Sequence, residues 1–196
     1  MNRLIFDIET IPANKSEKEL IEGLAKRKKE NAFRNTGLDG NFGRIFCIGY
    51  IKEPPISDQS DIIKGNEKDI LIEFWKIARD VDIFIGHNVM DFDLKFIYKR
   101  SVVHGVKPSR DLNFARYRSE PIYDTMREWE NWSMGSATSL DTLAKIFGFK
   151  TSKDDMCGSE VYDKYLEKKY DEIYKYCKKD VELTRKIYYK MNFLPL

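Results

Sequence analysis

The chain has 196 residues, the length of one ordinary domain, which leaves no room within it for a separate polymerase or helicase module. Hydrophobic residues make up 42% of the sequence and aromatic residues 13%, enough to build a packed core, so wholesale disorder is excluded despite 34% charged residues. The 34 basic and 32 acidic side chains give a formal charge of +2, which neither requires nor excludes a nucleic-acid partner.

Apolar runs and helical periodicities alternate along the chain. Short apolar runs bounded by turn residues predict strands over residues 4–11, 44–51 and 81–85. Helical spacing of apolar residues predicts helices over residues 16–34, 67–79, 93–100, 139–147 and 171–191. Ser16 and Ser139 are the predicted N-caps of the first and fourth helices, and Gly148 follows the end of the fourth. This alternation predicts an α/β fold in which helices cover a central mixed sheet.

The cysteine, histidine and hydropathy patterns indicate the compartment. Cys47, Cys157 and Cys177 lie far apart without a C-x-x-C pair, and the histidines are His87 and His104. A zinc site or a disulfide framework is therefore not expected. Acidic residues interrupt the apolar N-terminus and no run approaches about 18 apolar residues, so we expect neither a signal peptide nor a membrane span. The sequence predicts an intracellular, cytoplasmic protein.

Residues 110–135 are the least regular part of the sequence. Basic and aromatic side chains interleave there, namely Arg110, Arg116, Arg118, Arg127, Tyr117, Tyr123, Trp129 and Trp132. Such interleaving suits a groove that binds single-stranded nucleic acid. An ordinary loop followed by a helix that begins near Asp124 accounts for the same residues, and the pattern alone does not choose between the two.

Two acids interrupt the first predicted strand. Asp7 and Glu9 are two residues apart, so on a strand they project to one face, about 6.6 Å from each other. A half-buried pair of like charges is unfavourable unless one is protonated or a cation lies between them. Carboxylate oxygens favour Mg²⁺ or Mn²⁺ over zinc or copper. The alternative is an edge strand with one face in water, on which the pair needs no cation.

The last predicted helix carries an acid on its inward-facing stripe. Asp180 lies three residues after Cys177 and four before Thr184, both of which belong to that stripe. Tyr176 precedes Asp180 by four residues and so lies one turn away on the same side. The two side chains form either a buried hydrogen-bonded pair or a site that opens onto the sheet.

A third polar group follows the third predicted strand, where residues 86–94 read Gly-His-Asn-Val-Met-Asp-Phe-Asp-Leu. Ligand-binding residues of open α/β sheets gather at the carboxyl ends of strands and in the loops that follow. Asn88, Asp91 and Asp93 occupy such positions, and an N-cap role also accounts for Asp91. The spacing does not choose between Asp91 and Asp93.

Together and in this order, the three segments resemble the motifs of the DEDDy 3′-5′ exonucleases in the ribonuclease H-like (DnaQ-like) superfamily, in particular the stand-alone family related to the proofreading domain of family B polymerases. The residues that match are Asp7, Glu9, Asn88, Asp93, Tyr176 and Asp180. The second motif selects Asp93 over Asp91. The resemblance covers nearly the whole chain, so it implies a ribonuclease H-like fold and one exonuclease domain over residues 1–196, with a helical insertion at about 16–34.

The resemblance also implies a site for two divalent cations, Mg²⁺ or Mn²⁺. Asp7, Glu9 and Asp180 would hold one cation, Asp7 would bridge to the other, and Asp93 would support the second directly or through water. Four carboxylates and a phosphodiester place about five negative charges together, which two such cations largely offset in the two-metal template for in-line hydrolysis. Tyr176, with an ordinary pKa near ~10, is a poor base and would orient the attacking water.

By similarity, the 3′ end of the substrate is expected to contact Thr10, Asn88 and Phe92. The polar groups would hold the terminal sugar or phosphate and the Phe92 ring would lie against a base, although core packing also accounts for Phe92. The implied activity is release of nucleoside 5′-monophosphates from the 3′ end of a single-stranded nucleic acid, with DNA favoured over RNA. The alternatives are an exoribonuclease with the same acids, a catalytically silent nucleic-acid-binding module, and a nuclease that cuts internally.

Overall fold

The structure is a computed structural model that describes residues 1–24, 31–55, 59–112, 114–133, 135–151 and 156–195. The strands in these ranges are β1 (Arg3–Ile11), β2 (Arg44–Glu53), β3 (Asp61–Lys64), β4 (Ile83–Gly86) and β5 (Ile122–Asp124). The α-helices are α1 (Lys18–Leu24), α2 (Ala32–Asn35), α3 (Glu67–Ile77), α4 (Asp93–His104), α5 (Thr125–Trp129), α6 (Leu140–Phe147), α7 (Val161–Leu166) and α8 (Tyr170–Met191). Short 3-10 turns occupy Lys15–Glu17, Thr36–Leu38, Ala78–Asp80 and Gly158–Glu160.

The described strands form one mixed sheet in the order β3-β2-β1-β4-β5. The central strand β1 pairs antiparallel with β2 along its whole length and parallel with β4 near its start. β5 runs parallel to β4, and β3 runs antiparallel to β2. A bulge shifts the register of β1 and β2 between Glu9 and Thr10. β1 is a central strand, although β4 pairs only with its first residues, and Glu9 is buried, so the alternative of an edge strand with its acids in water is wrong.

The side chains of β1 alternate between two hydrophobic cores. Phe6 belongs to the core that also contains residues of α3 and α4, whereas Ile5 belongs to the core that contains Val181 and other residues of α8. Burial of each such side chain contributes about 1.5–3 kcal/mol relative to exposure. By the same alternation, Asp7 and Glu9 share the face of Ile5, so both acids project toward α8.

Most of the predicted elements are confirmed, with small changes at their ends. The predicted strands correspond to β1, β2 and β4, and the last four predicted helices correspond to α3, α4, α6 and α8. Ser139 caps α6 by accepting a hydrogen bond from the backbone N–H of Thr142, and Gly148 ends this helix with a φ of 72°. Asp124 is the N-cap of α5, as expected for a helix that begins near this residue.

The N-terminal helix is the main correction to the predicted elements. Ser16 is not an N-cap, because Asn14 precedes the first 3-10 turn and the Glu17 carboxylate accepts the Asn14 backbone N–H. The predicted helix at 16–34 is instead represented by this turn, α1 and α2, and residues 25–30 lie outside the described ranges. Three elements, β3, β5 and α7, were not predicted. They span four, three and six residues, too few to show a period in the sequence.

Gly49 of β2 allows α8 to lie close to the sheet. A Cβ atom at this position would lie 2.9 Å from Cys177 Sγ and 3.0 Å from Val181 Cγ2, so there is no room for a side chain. In the β1–β2 register Gly49 is the partner of Asp7, and the closest approach of the helix therefore falls beside that carboxylate. α8 has 22 residues, but among the described helices none is both long and apolar enough to cross a membrane.

We predict that Gly49→Ala lowers the free energy of unfolding by about 1–3 kcal/mol, because the added methyl group overpacks the contact with α8. Gly23→Ala is the matched control: Gly23 is exposed on α1 with nothing within 4 Å of the added Cβ, so the substitution should be neutral or stabilising by up to about 1 kcal/mol. Urea denaturation of both variants measures the difference. An unchanged midpoint for Gly49→Ala would contradict the close approach of α8.

Candidate active site

Three elements bring four carboxylates together around β1. Asp7 and Glu9 come from the strand and Asp180 from α8, and all three line one pocket. Asp93, at the start of α4, lies close enough to raise the pKa of Asp7 by electrostatic repulsion. The acids are scattered over the sequence but lie close together in the fold, as the resemblance implies.

Asp93 is attached directly to β1. Its Oδ1 atom accepts the backbone N–H of Ile8 at 3.0 Å, and Ile8 lies between Asp7 and Glu9 on the strand. The side chain is buried, at 3% exposure for the residue. Asp91 has a different environment, because it forms ion pairs with Lys95 at 2.6 Å and with Arg127 near the surface. Of the two acids that sequence spacing leaves open, Asp93 is therefore the one that joins the cluster.

Burial and mutual repulsion favour the protonated forms of these acids. Burial raises the pKa of Asp7 well above its ordinary value, and the charges of Asp93 and Asp180 raise it further. Burial and then Asp7 do the same to the pKa of Glu9. Burial raises the pKa of Asp93 to about 7, although hydrogen bonds from backbone N–H groups oppose the shift. Within the described part of the chain, the positive charge near the site is therefore insufficient to hold all these carboxylates ionised.

Tyr176 lies one turn before Asp180 on α8, close enough for that carboxylate to affect the pKa of the phenol. Tyr176 and Asp180 are both 8% exposed and both line the pocket, so the pair is buried and also opens onto the site. Burial, followed by the charge of Asp180, raises the pKa of the phenol. The hydroxyl is therefore neutral at physiological pH and can serve as a hydrogen-bond donor but not as a base.

The pocket above the acids has a volume of about 380 Å³. One wall includes Arg34, Asn35, Gly37 and Leu38, and another includes Gly158, Ser159 and Tyr162. Arg34 joins the walls, because its guanidinium pairs with Asp163 at 2.6 Å and lies 5.4 Å from the ring centre of Tyr162. Gly158 lies above the phenol, since a Cβ atom there would be 4.0 Å from the hydroxyl of Tyr176.

The three residues predicted to contact the substrate differ in their position relative to the pocket. Thr10 and Phe92 both line the pocket. Thr10 Oγ1 also donates a hydrogen bond to the Gly37 carbonyl, and the ring of Phe92 packs 5.7 Å from that of Phe96 against the core, so each has a structural role as well. Asn88 is not among the described residues that line this pocket. Its backbone, with a φ of 59°, forms the turn before α4, and its N–H donates to Asp124.

Sequence reasoning missed three contributors to this region. Cys177 lies below Asp7, with its Sγ atom 3.6 Å from the Asp7 carbonyl oxygen and 3.9 Å from Oδ2. Asp124 is fully buried and accepts the backbone N–H groups of Asn88 and Met90, which fixes the loop that leads to Asp93. Arg34 lies at the end of the predicted helix at 16–34 and was given no role in the site. The position of Cys177 next to Tyr176 on the inward stripe was the one available signal.

The carboxylate oxygens of the site suit a hard divalent cation, whereas the thiol of Cys177 beside them does not. Ligand atoms of Asp7, Glu9 and Cys177 all lie within 4.8 Å of one another, and Asp180 adds a further carboxylate to the same pocket. Carboxylate oxygens are the preferred ligands of Mg²⁺ and Mn²⁺, and a bound cation would remove the repulsion that raises the pKa values of these acids. The repulsion that favours protonation of these acids is therefore the same repulsion that a bound cation would relieve.

A mixed sheet with flanking helices and an acidic cluster on its central strand define an α/β fold of the ribonuclease H-like kind. Residues 56–195 match the family described as a predicted 3'-5' exonuclease related to the exonuclease domain of PolB, and because this is well over half of the chain, the protein belongs to that family. It is therefore an exonuclease, and its substrate is a nucleic acid. A search of curated proteins found no match. The matched range contains Asp93, Tyr176 and Asp180 and begins after Asp7 and Glu9.

Proposed function

We propose that this exonuclease is metal-dependent and degrades single-stranded DNA from its 3′ end, releasing nucleoside 5′-monophosphates by a two-metal mechanism. The observation that carries this function is the meeting of Asp7, Glu9, Asp93 and Asp180 beside the phenol of Tyr176. A phosphodiester entering the pocket adds negative charge to an acidic cluster, so substrate binding requires cations between them.

In this proposal each acid has its own role. Asp7, Glu9 and Asp180 would hold one cation, with Asp7 shared with the second, and Asp93 would support the second. The bond from Ile8 N–H to Asp93 Oδ1 fixes the orientation of that carboxylate, as outer-shell hydrogen bonds do in other metal sites. When bound, two Mg²⁺ or Mn²⁺ ions neutralise the phosphate and acidify the attacking water.

Tyr176 would orient the attacking water. Its hydroxyl is buried beside Asp180 and retains its proton, because its pKa is raised by burial and by that carboxylate. A group that keeps its proton cannot remove one from water, but it can fix the position of a water molecule by hydrogen bonding. The contribution of Tyr176 is therefore expected in the turnover number rather than in metal binding.

The walls of the pocket suit a terminal nucleotide. A volume of about 380 Å³ falls within the range of small-ligand sites. The rings of Phe92 and Tyr162 both line the pocket and offer surfaces on which a base can stack, and Arg34 supplies a cation for a phosphate oxygen. Thr10 lies beside the acids at the floor, where its hydroxyl can reach the terminal sugar.

We also propose that residues 1–196 act as one exonuclease domain with a helical insertion at about 16–34, located in the cytoplasm. β1 supplies two of the four acids and the remainder of the chain supplies the others, so neither part has a complete site alone. The three cysteines are free thiols, as is usual for proteins of reducing compartments.

We predict that the protein shortens a 5′-labelled single-stranded oligodeoxynucleotide one nucleotide at a time from the 3′ end in Mg²⁺ or Mn²⁺, and that chelation stops the reaction. Asp7→Asn should reduce the rate by about 100-fold or more, because it removes a ligand shared by both cations. Gel electrophoresis of the products measures rate and direction, and Asp171→Asn, at an exposed position of α8, is the control.

Parallel substrates separate this activity from its rivals. A matched RNA strand should be degraded more slowly than DNA, and a circular single strand should survive. Faster degradation of RNA would make the protein an exoribonuclease, and loss of the circle would make it an endonuclease. Cleavage of no 3′ end, together with the absence of divalent-ion binding in titration calorimetry, would leave only a nucleic-acid-binding role.

We predict that Tyr176→Phe lowers the turnover number by about 10–100-fold while the Mn²⁺ affinity stays within about twofold, because the phenol positions water and does not ligate the cation. Tyr174→Phe is the matched control. Tyr174 lies on the same helix with its ring stacked on Phe46, away from the acidic pocket, and should retain full activity. A fully active Tyr176→Phe enzyme would contradict the role given to this hydroxyl.

A further inference from the structure

A second pocket, of about 180 Å³, borders the loop that leads into α4. Phe92 lines the acidic pocket, whereas the two residues before it, Met90 and Asp91, line the second one. Consecutive Cα atoms are about 3.8 Å apart, so the two pockets are neighbours along this loop. A strand with its end in the acidic pocket can therefore reach the second pocket within a few nucleotides.

The second pocket carries an excess of positive charge. Its described lining residues include three cations, Lys95, Arg116 and Arg127, and one carboxylate, Asp91. Lys95 pairs with Asp91 at 2.6 Å and Arg127 pairs with the same carboxylate, which ties α4 to α5 through this loop. Arg116 is exposed to solvent. Three positive charges and one negative charge give the described lining a net positive charge, which attracts phosphate.

Aromatic rings stand beside these cations. Tyr117 is 69% exposed, and its ring centre lies 5.6 Å from that of Trp132 at an angle of 45°. Both residues have left-handed backbones, with φ values of 63° and 61°, a conformation that costs residues with a side chain about 1–2 kcal/mol. Strain of this kind gathers at binding sites, where it holds a side chain in a position that the relaxed chain would not give.

We propose that the second pocket is a binding subsite for the single-stranded DNA upstream of its 3′-terminal nucleotide. A base of the strand stacks on the exposed ring of Tyr117, and Arg116 contacts a phosphate oxygen of the same segment. Lys95 and Arg127 contribute to the field of the subsite while they keep the loop in place. The subsite rests on the proposed function, because its occupant is the strand whose end lies at the acids.

The subsite makes the enzyme's affinity depend on substrate length. An oligonucleotide that is too short to extend beyond the acidic pocket does not contact Tyr117 or Arg116, so these residues do not raise its affinity. A longer strand binds more tightly because one of its bases stacks on Tyr117 and one of its phosphates contacts Arg116. Both side chains are exposed, so their removal leaves the core intact. A purely structural role of residues 114–117 predicts no dependence of affinity on substrate length, so a length series distinguishes the two roles.

The test is the affinity of two 5′-fluorescent deoxythymidylate probes, of about 3 and about 12 nucleotides, measured by fluorescence anisotropy in Ca²⁺ with probe integrity confirmed by electrophoresis. Tyr117→Ala should weaken binding of the long probe about 10-fold and that of the short probe by less than about twofold. Arg116→Ala should weaken long-probe binding and reduce the slope of log affinity against log salt by about 0.7. Arg79→Ala and Tyr98→Ala, at exposed positions outside the lining and outside residues 110–135, are the matched controls.

Unchanged long-probe affinity in both variants would overturn the subsite, and so would equal losses for the two probes or equal losses in the controls. Thermal melting of each variant shows that a loss does not come from unfolding. The binding assay requires no cleavage, so its result is independent of the reaction. Failure of the wild-type protein to shorten DNA in Mn²⁺ would refute the proposed function, whereas a length-independent affinity would refute the subsite alone.

Discussion

The function of this protein depends on the crowding of four largely buried carboxylates on and around one strand. Asp7 and Glu9 of β1 line the same pocket as Asp180 of α8, and Asp93 is fixed to the same strand by the Ile8 N–H. Each acid raises the cost of ionising its neighbours. A cluster of this kind is destabilising without cations and becomes favourable once cations are bound, so its position in the fold is accounted for by function rather than by stability.

The fold meets this requirement by placing the acids on its most constrained elements. β1 has a hydrogen-bonded neighbour on each side, and α8 is held close to it because Gly49 has no side chain. The loop before α4 is fixed by Asp124, which accepts backbone N–H groups from that loop and also caps α5. Rigid supports keep the carboxylates within reach of a shared cation, which a flexible loop could not do.

The fold class and the placement of the acids could be predicted from local patterns in the sequence. The alternation of apolar runs and helical stripes predicts the α/β fold, and the two-residue spacing of Asp7 and Glu9 gives them a common face. The helical stripe through Cys177 places Asp180 and Tyr176 toward the sheet, where the structure has them. Each of these conclusions depends on periodicity within one element, which is the property that a sequence records directly.

The remaining features depend on contacts between distant segments. Spacing alone did not choose between Asp91 and Asp93, because the choice depends on the bond from Ile8 N–H, some 85 positions away. β3 and β5 are too short to show a period, and their pairing comes from neighbouring strands. The N-cap at Ser16 was wrong because Asn14 offers the same chemistry two residues earlier. The ion pair between Arg34 and Asp163 also joins segments that are far apart in the sequence, so local patterns did not predict it.

Melting temperatures with and without Mn²⁺ test the central claim most directly. In chelator at pH 8, Asp7→Asn should melt above the wild-type protein, by about 2–4 °C for each kcal/mol of repulsion removed. In Mn²⁺ the wild-type protein should gain more stability than the variant, because it binds the cation more tightly. The wild-type protein should then have the higher melting temperature of the two. Asp171→Asn should follow the wild-type protein in both conditions. A lower melting temperature of Asp7→Asn in chelator, or equal gains in Mn²⁺, would contradict a cation site built from crowded carboxylates.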